Sequence, residues 1–411
     1  MIFSNKNMFK SFKAVLISIS LLSISAFVSA EKMWRTHDNT PIYAQIGDEY
    51  RKVGDLSLNF PLTVNERSQA PQDFLAISFG NSAGFISNTS VVPNVNGENM
   101  VKYSYHMQGY IITTKSTALY AEMGRKSRVI AHLDGNLRYP FIQKPTDEQG
   151  KLWYQVALAG QIGYIKAADV QPDNGIPVII YHHVLQDKEN QKYRNTPTTV
   201  STDDLNFQFA TMKELKFKTA SLSDLEGYLQ GKVNLPAKTL ILTFDDGLKS
   251  VYRYVYPLLK KYDFQATLFV ITSRIQSKPQ QWEPNSLQFL SAEEYREMHD
   301  SVDLQSHSHS LHHYIKYKPA APQTDYQTLY IDLVRSTQEL ARLNSHAKYL
   351  AYPFGVYTEE FIAAAKNSGF TLAVTTKWGK VKFGDDPMLL KRLYFTSDTT
   401  KEKINDILKN Q

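Results

Sequence analysis

The segment Leu240-Ile241-Leu242-Thr243-Phe244-Asp245-Asp246-Gly247 is the strongest indication of the fold of the C-terminal half of this chain. Its apolar residues follow one another without polar alternation, which is typical of a strand buried on both faces of a helix-covered sheet. Two adjacent carboxylates point to opposite faces of a regular strand, so both can serve one cleft only where the strand breaks. Gly247 is placed to permit that break. The plain alternative is a surface Asp-Asp-Gly turn.

Similar apolar runs recur through this half of the chain, and helix-like stretches separate them. This alternation predicts an α/β domain with a mostly parallel sheet or barrel, whose chemistry lies at the C-terminal ends of the strands. The other predicted strands centre on residues 178–180, 268–271, 349–351 and 372–374. The predicted helices lie near residues 203–215, 249–262, 324–345, 358–368 and 401–409.

The N-terminal half has a different pattern, with short alternating apolar runs separated by Gly, Asn, Pro and Asp. Two segments of it repeat: Pro41-Ile42-Tyr43-Ala44 is echoed by Ala118-Leu119-Tyr120-Ala121, and Gly84-Phe85-Ile86 by Gly163-Tyr164-Ile165. The pattern predicts one all-β module used twice, over residues 31–97 and 98–174, before the α/β domain over 175–411. The modules resemble bacterial Src-homology-3-like (SH3-like) barrels, which implies that they bind a cell-wall polymer. The alternative is that they serve as spacers or pack against the catalytic domain.

Residues 1–30 are typical of a secretory signal peptide. They contain Lys6, Lys10 and Lys13, then the apolar run Ala14 to Phe27, then small residues ending at Ala30, after which we expect cleavage. The alternative, an uncleaved anchor, is disfavoured because a membrane span needs about 20 apolar residues. We therefore expect an exported protein, periplasmic, envelope-associated or secreted, with no membrane span after cleavage.

Composition excludes several functional classes. The 411 residues include 46 Lys and Arg, 40 Asp and Glu, and no cysteine. The absence of cysteine excludes a disulfide scaffold, a thiol nucleophile, an iron–sulfur cluster and a Cys-ligated zinc site. Loss of the signal peptide would remove half of the net charge of +6, and no basic stripe with interleaved aromatic residues indicates a nucleic-acid partner.

Histidines cluster in Ser306-His307-Ser308-His309-Ser310-Leu311-His312-His313, directly after the apolar segment Val302-Asp303-Leu304. Such a cluster at a strand end indicates metal binding, and one Asp with two His leaves positions open for water and substrate. Helical spacing would favour His309 and His313, since residues four apart share a face.

Three motifs together identify a family resemblance. Thr243-Phe244-Asp245-Asp246-Gly247, the Ser-His-Ser cluster with its Leu311-His312, and Ala351-Tyr352-Pro353-Phe354-Gly355 resemble the polysaccharide deacetylases (NodB-homology, carbohydrate esterase family 4). Tyr181-His182-His183-Val184 and Leu235-Pro236 resemble the branch that contains poly-N-acetylglucosamine deacetylases of biofilms. The resemblance covers residues 176–398 and implies a distorted (β/α) barrel.

The resemblance also implies roles for individual residues. Asp245 would be the general base, and Asp246, His307 and His312 would bind a divalent metal, zinc or alternatively nickel, cobalt or manganese. This branch uses histidines five apart, which favours His307 and His312 over the pair His309 and His313. The backbone N–H of Tyr352 would stabilise the oxyanion. The remaining candidates are substrate-facing groups or a residue that orients Asp245: His182, His183, His309, Phe354 and Arg392.

One part of the family pattern is missing, because the later motifs that orient a catalytic acid histidine do not occur. The general acid therefore stays open among His312, His309 and protonated Asp245, while Arg392 is a candidate to orient Asp245. The leading functional hypothesis is an exported, metal-dependent hydrolase that removes N-acetyl groups from peptidoglycan or poly-N-acetylglucosamine. The alternatives are a non-catalytic wall-binding protein with a relic domain and an esterase acting on O-acetyl groups of xylan or other glycans.

Overall fold

A computed structural model of the chain describes residues 33–46, 49–65, 68–94, 106–343 and 345–409. The predicted signal peptide, residues 1–30, lies outside the described residues, and so does the predicted module boundary at residues 97 and 98. Within the described ranges, no helix is both long and apolar enough to cross a membrane.

The N-terminal region is all-β, as predicted, and its strands fall into two sets of seven. The first set is β1 (Met33–Thr36), β2 (Thr40–Ile46), β3 (Glu49–Leu56), β4 (Pro61–Thr63), β5 (Phe74–Phe79), β6 (Ser82–Ser87) and β7 (Val91–Pro93). The second set is β8 (Gly109–Thr113), β9 (Thr117–Tyr120), β10 (Val129–Leu133), β11 (Leu137–Phe141), β12 (Trp153–Leu158), β13 (Gln161–Lys166) and β14 (Val170–Pro172).

The two sets repeat one pairing pattern, so the predicted internal repeat is confirmed. The sheet β4-β1-β7 corresponds to β11-β8-β14, and the order β3-β2-β6-β5 corresponds to β10-β9-β13-β12. The two echoed sequence segments lie at equivalent places, on β2 and β9 and on β6 and β13.

The two modules are also joined to each other, which the sequence pattern does not predict. Strand β3 pairs with β10, and β5 pairs with β12, so that four strands from each module close one eight-stranded barrel. Pairing satisfies the N–H and C=O groups that an edge strand would otherwise expose. A single apolar core contains residues of both modules, among them Ile42, Ile77, Leu119 and Ile165.

The C-terminal region is α/β, which confirms the predicted class. Its strands are β15 (Val178–Tyr181), β16 (His183–Leu185), β17 (Thr199–Ser201), β18 (Lys218–Thr219), β19 (Thr239–Phe244), β20 (Ala266–Val270), β21 (Val302–Ser306), β22 (Tyr314–Ile315), β23 (Lys318–Pro319), β24 (Tyr349–Ala351), β25 (Leu372–Trp378) and β26 (Leu390–Tyr394). Its helices are α1 (Thr202–Glu214), α2 (Leu222–Leu229), α3 (Tyr256–Tyr262), α4 (Ala292–Glu297), α5 (Tyr326–Ala341), α6 (Glu359–Asn367) and α7 (Lys401–Leu408).

Seven parallel strands close a second barrel in the order β15-β26-β25-β24-β21-β20-β19, and β15 pairs with β19 to complete the ring. Strand β18 extends the sheet beside β19. All six residues of β19 are buried, as its unbroken apolar sequence predicts. Because the strands run parallel, their C-terminal ends meet at one rim, and the chemical motifs follow β19, β21 and β24 at that rim.

A buried polar network fixes the N-terminal region against the α/β barrel. The Arg138 guanidinium, whose side chain is 1% exposed, donates to the Asp173 carboxylate at 2.8 Å and to the Pro236 carbonyl at 2.7 Å. The Tyr228 hydroxyl also donates to Asp173, at 2.8 Å. Pro236 lies three residues before β19, so the β region packs against the segment that leads into the catalytic motif. The modules therefore contact the C-terminal domain, which was one of the alternatives, and their binding of a wall polymer stays a prediction.

Candidate active site

The end of β19 brings Asp245 and Asp246 into the same cleft. The Asp245 N–H still donates to the Tyr181 carbonyl at 2.9 Å, and the backbone then turns sharply. Asp246 and Gly247 have φ values of 73° and 77°, both in the left-handed region. A non-glycine residue rarely adopts this conformation, and such strain is concentrated at functional sites. The predicted strand break is therefore present, and it begins one residue before Gly247.

The histidine motif forms a loop after β21 and is held by its own polar neighbours. The Asp332 carboxylate on α5 accepts the N–H groups of His309 and Ser310, each at 2.8 Å. The Ser306 hydroxyl accepts the N–H of Ser308, at which φ is 68°. The positive φ of Ser308 turns the backbone, so the segment is a loop and not a helix. His307 and His312 can therefore converge although they are not at helical spacing.

Three side chains form a candidate metal centre. The ligand atoms of Asp246, His307 and His312 all lie within 4.8 Å of one another. The Asp246 Oδ1 atom lies 3.4 Å from His312 Nε2 and 3.7 Å from His307 Nε2. This Oδ1 atom is buried and has no hydrogen-bond partner, which is costly for an acceptor unless a cation or water satisfies it.

The protonation of the two histidines also fits a metal. Burial lowers the pKa of His307 and of His312 to about 4 in each case, so both imidazoles are neutral at pH 7 and keep a lone pair for coordination. His307 Nδ1 donates to the Ala351 carbonyl at 2.8 Å, which leaves Nε2 as the acceptor atom that faces Asp246. Such a carbonyl contact is the usual way of orienting a metal-binding histidine.

Asp245 is held by a bidentate ion pair. Two nitrogens of the Arg392 guanidinium donate to the two Asp245 carboxylate oxygens, each at 2.8 Å. Arg392 is fully buried and also donates to the Thr375 carbonyl. Burial alone would raise the pKa of Asp245, but the charge and hydrogen bonds of Arg392 hold that pKa well below its usual range. The carboxylate is therefore ionised and fixed in orientation, as expected of a base that Arg392 positions.

The adjacent histidines His182 and His183 point in different directions. His182 Nε2 lies 3.9 Å from Asp245 Oδ2, and the His182 side chain is 21% exposed, which places it in the cleft. His183 is 5% exposed and packs edge-on against Tyr193 at 5.0 Å between ring centroids. The prediction that His183 contacts substrate therefore has no support in this geometry, because alternate residues of an extended segment face opposite sides.

His309 and His313 lie apart from the metal centre. His309 Nδ1 is 3.0 Å from the Thr272 hydroxyl, and His313 Nδ1 donates to the Ser310 carbonyl. Neither belongs to the group formed by Asp246, His307 and His312. The geometry therefore favours the pair five residues apart, and it gives His309 a structural contact in place of the predicted substrate contact.

The third motif needs one correction. The N–H of Tyr352, the residue that follows β24, donates to the Val374 carbonyl at 3.2 Å, beside the last pair of β24 and β25, so it is not free to face an oxyanion as predicted. Its fully buried ring packs on Phe361. Phe354, by contrast, lies against the metal centre, with its ring centroid 4.1 Å from that of His312.

Sequence reasoning missed three residues that shape the site. Asp332 fixes the histidine loop, Arg274 donates to the His312 carbonyl at 3.0 Å, and Tyr314 packs at a tilt on Phe354 with a centroid separation of 4.5 Å. Asp332 and Arg274 come from other elements and carry no motif. Tyr314 directly follows the histidine cluster, so its position next to an expected metal loop was the available signal.

Known proteins show which family this region resembles. Residues 232–373 match the polysaccharide deacetylase family. The poly-beta-1,6-N-acetyl-D-glucosamine N-deacetylase of Staphylococcus epidermidis is 24% identical over 264 residues, covering 63% of this chain and 86% of that protein. The enzyme of the same name from Staphylococcus aureus strain MSSA476 is 24% identical over 262 residues, again covering 63% of this chain and 86% of the relative.

One solved structure covers a similar share of the chain. A Streptococcus pyogenes deacetylase in complex with acetate is 25% identical, with a TM-score of 0.49, and covers 58% of this chain and 99% of its own. The family match lies on the region that contains Asp245, Asp246, His307, His312 and the third motif. The chain therefore contains a polysaccharide deacetylase domain and is a hydrolase that acts on carbon–nitrogen bonds.

Proposed function

We propose that this chain is an exported, metal-dependent enzyme that removes N-acetyl groups from a poly-N-acetylglucosamine-type polysaccharide. The observation that carries the proposal is the placement of Asp246, His307 and His312 around one point, beside the Arg392-bound carboxylate of Asp245. A centre with three protein ligands leaves positions open for water and substrate, which is the arrangement of a catalytic metal. The relatives with this polymer in their names favour it over peptidoglycan.

The residues divide the chemistry among them. Asp246, His307 and His312 would hold the divalent ion, which when bound activates water as a nucleophile and withdraws charge from the acyl oxygen. Asp245, ionised and held by Arg392, accepts the proton of the attacking water. The acetyl carbon gains the water oxygen and loses the sugar nitrogen. The products are acetate and a free amine on the polymer.

We assign to His182 the role of general acid, which donates the proton that the leaving amine requires. It is the partly exposed histidine beside Asp245, at 3.9 Å, whereas His309 is turned toward Thr272. Because His182 lies next to Asp245, the proton that Asp245 takes from water has only a short path to His182. For the oxyanion donor, Pro353 has no N–H and that of Tyr352 is used in the sheet, so the next N–H, at Phe354, is the better candidate.

Acetate release tests this function directly. The purified protein is incubated with poly-β-1,6-N-acetylglucosamine, chitooligosaccharides, peptidoglycan and acetylxylan, with and without a chelator. We expect acetate from the first polymer, and we expect the chelator to abolish its release. Release from acetylxylan alone would favour the esterase alternative. No release from any N-acetylated polymer by metal-loaded protein would support the relic-domain alternative.

Export and wall binding are parts of the proposal that rest on sequence patterns. Export is supported by the lysine-rich, apolar and small-residue order of residues 1–30. N-terminal sequencing of the protein from the periplasm or medium should begin at Glu31, and a cytoplasmic chain that retains residue 1 would contradict it. Binding of a wall polymer by the β modules stays a prediction, which a pull-down with purified peptidoglycan would check.

A further inference from the structure

A strained hairpin lies next to the candidate metal centre. Strands β22 and β23 pair Tyr314 with Pro319 and Ile315 with Lys318. The two residues of the turn, Lys316 and Tyr317, have φ values of 47° and 63°. Two-residue turns with both φ values positive are normally built from Asn and Gly, because a side chain makes this conformation costly. This hairpin keeps two large side chains there.

Hydrogen bonds from the residues that follow the hairpin also hold it in place. The side-chain amide nitrogen of Gln323 lies 3.0 to 3.1 Å from three carbonyl oxygens, those of Ile315, Lys318 and Pro319, among which it shares its two N–H donors. The N–H of Ala320 closes the base by donating to the His313 carbonyl at 2.9 Å. These contacts fix the position of the hairpin relative to the histidine loop.

Its aromatic side chains are nevertheless exposed to solvent. Tyr317 is 97% exposed and Tyr314 is 58% exposed, so neither ring contributes much apolar burial to folding. Backbone strain that is not offset by burial of the side chains is concentrated at functional sites, where the surrounding structure holds the strained residues in place. The exposed rings therefore call for an external partner.

An aromatic ladder connects the hairpin to the metal centre. Tyr314 packs on Phe354 with ring centroids 4.5 Å apart, and Phe354 packs on His312 at 4.1 Å. Phe354 itself has a φ of 57°, which is an outlier for a bulky residue and turns its ring onto His312. The ladder leads outward from the His312 ring through Phe354 and Tyr314 to solvent.

We propose that Tyr314 and Tyr317 form a sugar-binding platform that holds the polymer residues next to the one being deacetylated. The proposal rests on the proposed function and specifies its substrate as an extended chain. The apolar face of a neutral pyranose stacks on an exposed ring, and the fixed hairpin keeps the lost freedom on binding small. The platform acts on binding, so its contribution grows with substrate length.

The test compares substrates of increasing length. Kinetics of Tyr314→Ala, Tyr317→Ala and the double variant are measured on N-acetylglucosamine oligomers from dimer to hexamer and on the polymer. Each lost ring should lower kcat/KM on long substrates about two- to tenfold, mainly through KM. The loss on the dimer should be smaller, and Tyr314→Phe should keep most of the wild-type value. Phe207→Ala, which removes an exposed ring on α1, is the matched control and should change nothing.

A binding measurement separates this inference from the proposed function. Affinity of the metal-free, full-length protein for poly-β-1,6-N-acetylglucosamine is measured for wild type and the same variants, with no catalysis required. Weaker binding by the tyrosine variants, with Phe207→Ala unchanged, supports the platform even if the wild type releases no acetate. Equal affinities, or a kinetic loss that is the same for dimer and polymer, would overturn it.

Discussion

Replacement of Arg392 by Met should damage both stability and catalysis, because it leaves the Asp245 carboxylate buried without its counter-ion. The Asp245 side chain is only 3% exposed and that of Arg392 is 0% exposed. Breaking a buried ion pair by removing one partner costs about 3–5 kcal/mol in the free energy of unfolding. For a domain of this size each kcal/mol lowers the melting midpoint by roughly 2–4 °C, which predicts a fall of about 6–20 °C.

The contribution of Asp245 to the pH dependence of stability should change sign in the Arg392→Met variant. In the wild type the pKa of folded Asp245 lies below the unfolded value of about 3.9. The pair therefore stabilises the fold above that pH, and this stability is lost as the pH falls toward the folded pKa. Without Arg392, burial dominates and raises the folded pKa above the unfolded value. The variant should then gain stability from Asp245 on acidification, which thermal melts from pH 7 to pH 4 would detect.

Activity gives the second measurement on the same variant. General-base catalysis contributes about 10²–10⁴-fold, and a protonated or misoriented Asp245 should lose a comparable factor in kcat/KM for acetate release. The acid limb of the pH–rate profile should move to higher pH, because the base must be ionised. Arg392→Lys keeps the charge and loses the bidentate geometry, so its kcat/KM should lie between those of the wild type and Arg392→Met.

A neighbouring cation supplies the control. Lys391 is 39% exposed and pairs at the surface with Asp385 at 3.6 Å, a contact worth about 1 kcal/mol or less. Lys391→Met should therefore leave the melting midpoint, the pH profile and the rate close to wild type. If Arg392→Met behaves like Lys391→Met in all three measurements, the role assigned to Arg392 is refuted.

Three further predictions concern other residues. His182→Asn should lower kcat on an amide substrate about 10²-fold or more and have less effect on an activated ester, whose leaving group needs no proton; equal losses on both would contradict its role as proton donor. Arg138→Met should destabilise the protein by about 3–5 kcal/mol, seen in denaturant unfolding, whereas an unchanged midpoint would show that its contacts with Asp173 and Pro236 do not hold the β region in place. Gly247→Ala should lower both stability and acetate release, because φ is 77° and the new Cβ would lie 2.6 Å from the Tyr295 hydroxyl and 3.0 Å from Val270; a fully active, stable variant would show that this turn is not constrained.

The sequence predicted the parts of the fold that depend on local pattern. Unbroken apolar runs such as Leu240 to Leu242 identified the buried parallel strands, and the echoes of residues 41–44 and 84–86 identified the repeated module. The joining of the modules was not predictable, since the pairing of β3 with β10 depends on contacts between residues about 75 positions apart. Short helices such as α2, eight residues long, also lacked enough length to show a period.

The parts of the site that sequence motifs specify were predictable. The parts that depend on backbone conformation and on contacts between distant segments were not. Helical spacing alone would have selected His309 and His313, but Ser308 with φ of 68° makes the segment a loop, so that rule does not apply. The N–H of Tyr352 was assigned to the oxyanion because the sequence does not show its contact with the Val374 carbonyl. That contact depends on where β25 lies in the folded protein. Asp332 and Tyr314 were missed because they act through tertiary contacts with the motif residues.

Metal content and acetate release, measured on the same preparations, test whether Asp246, His307 and His312 hold a catalytic metal. Each of His307, His309, His312 and His313 is exchanged for Ala, and bound metal per chain is determined after reconstitution, alongside acetate release from poly-β-1,6-N-acetylglucosamine. We expect the His307 and His312 variants to lose both metal and activity, while the His309 and His313 variants keep bound metal. Full metal content in the His307 and His312 variants, or acetate release that survives complete metal removal from the wild type, would contradict it.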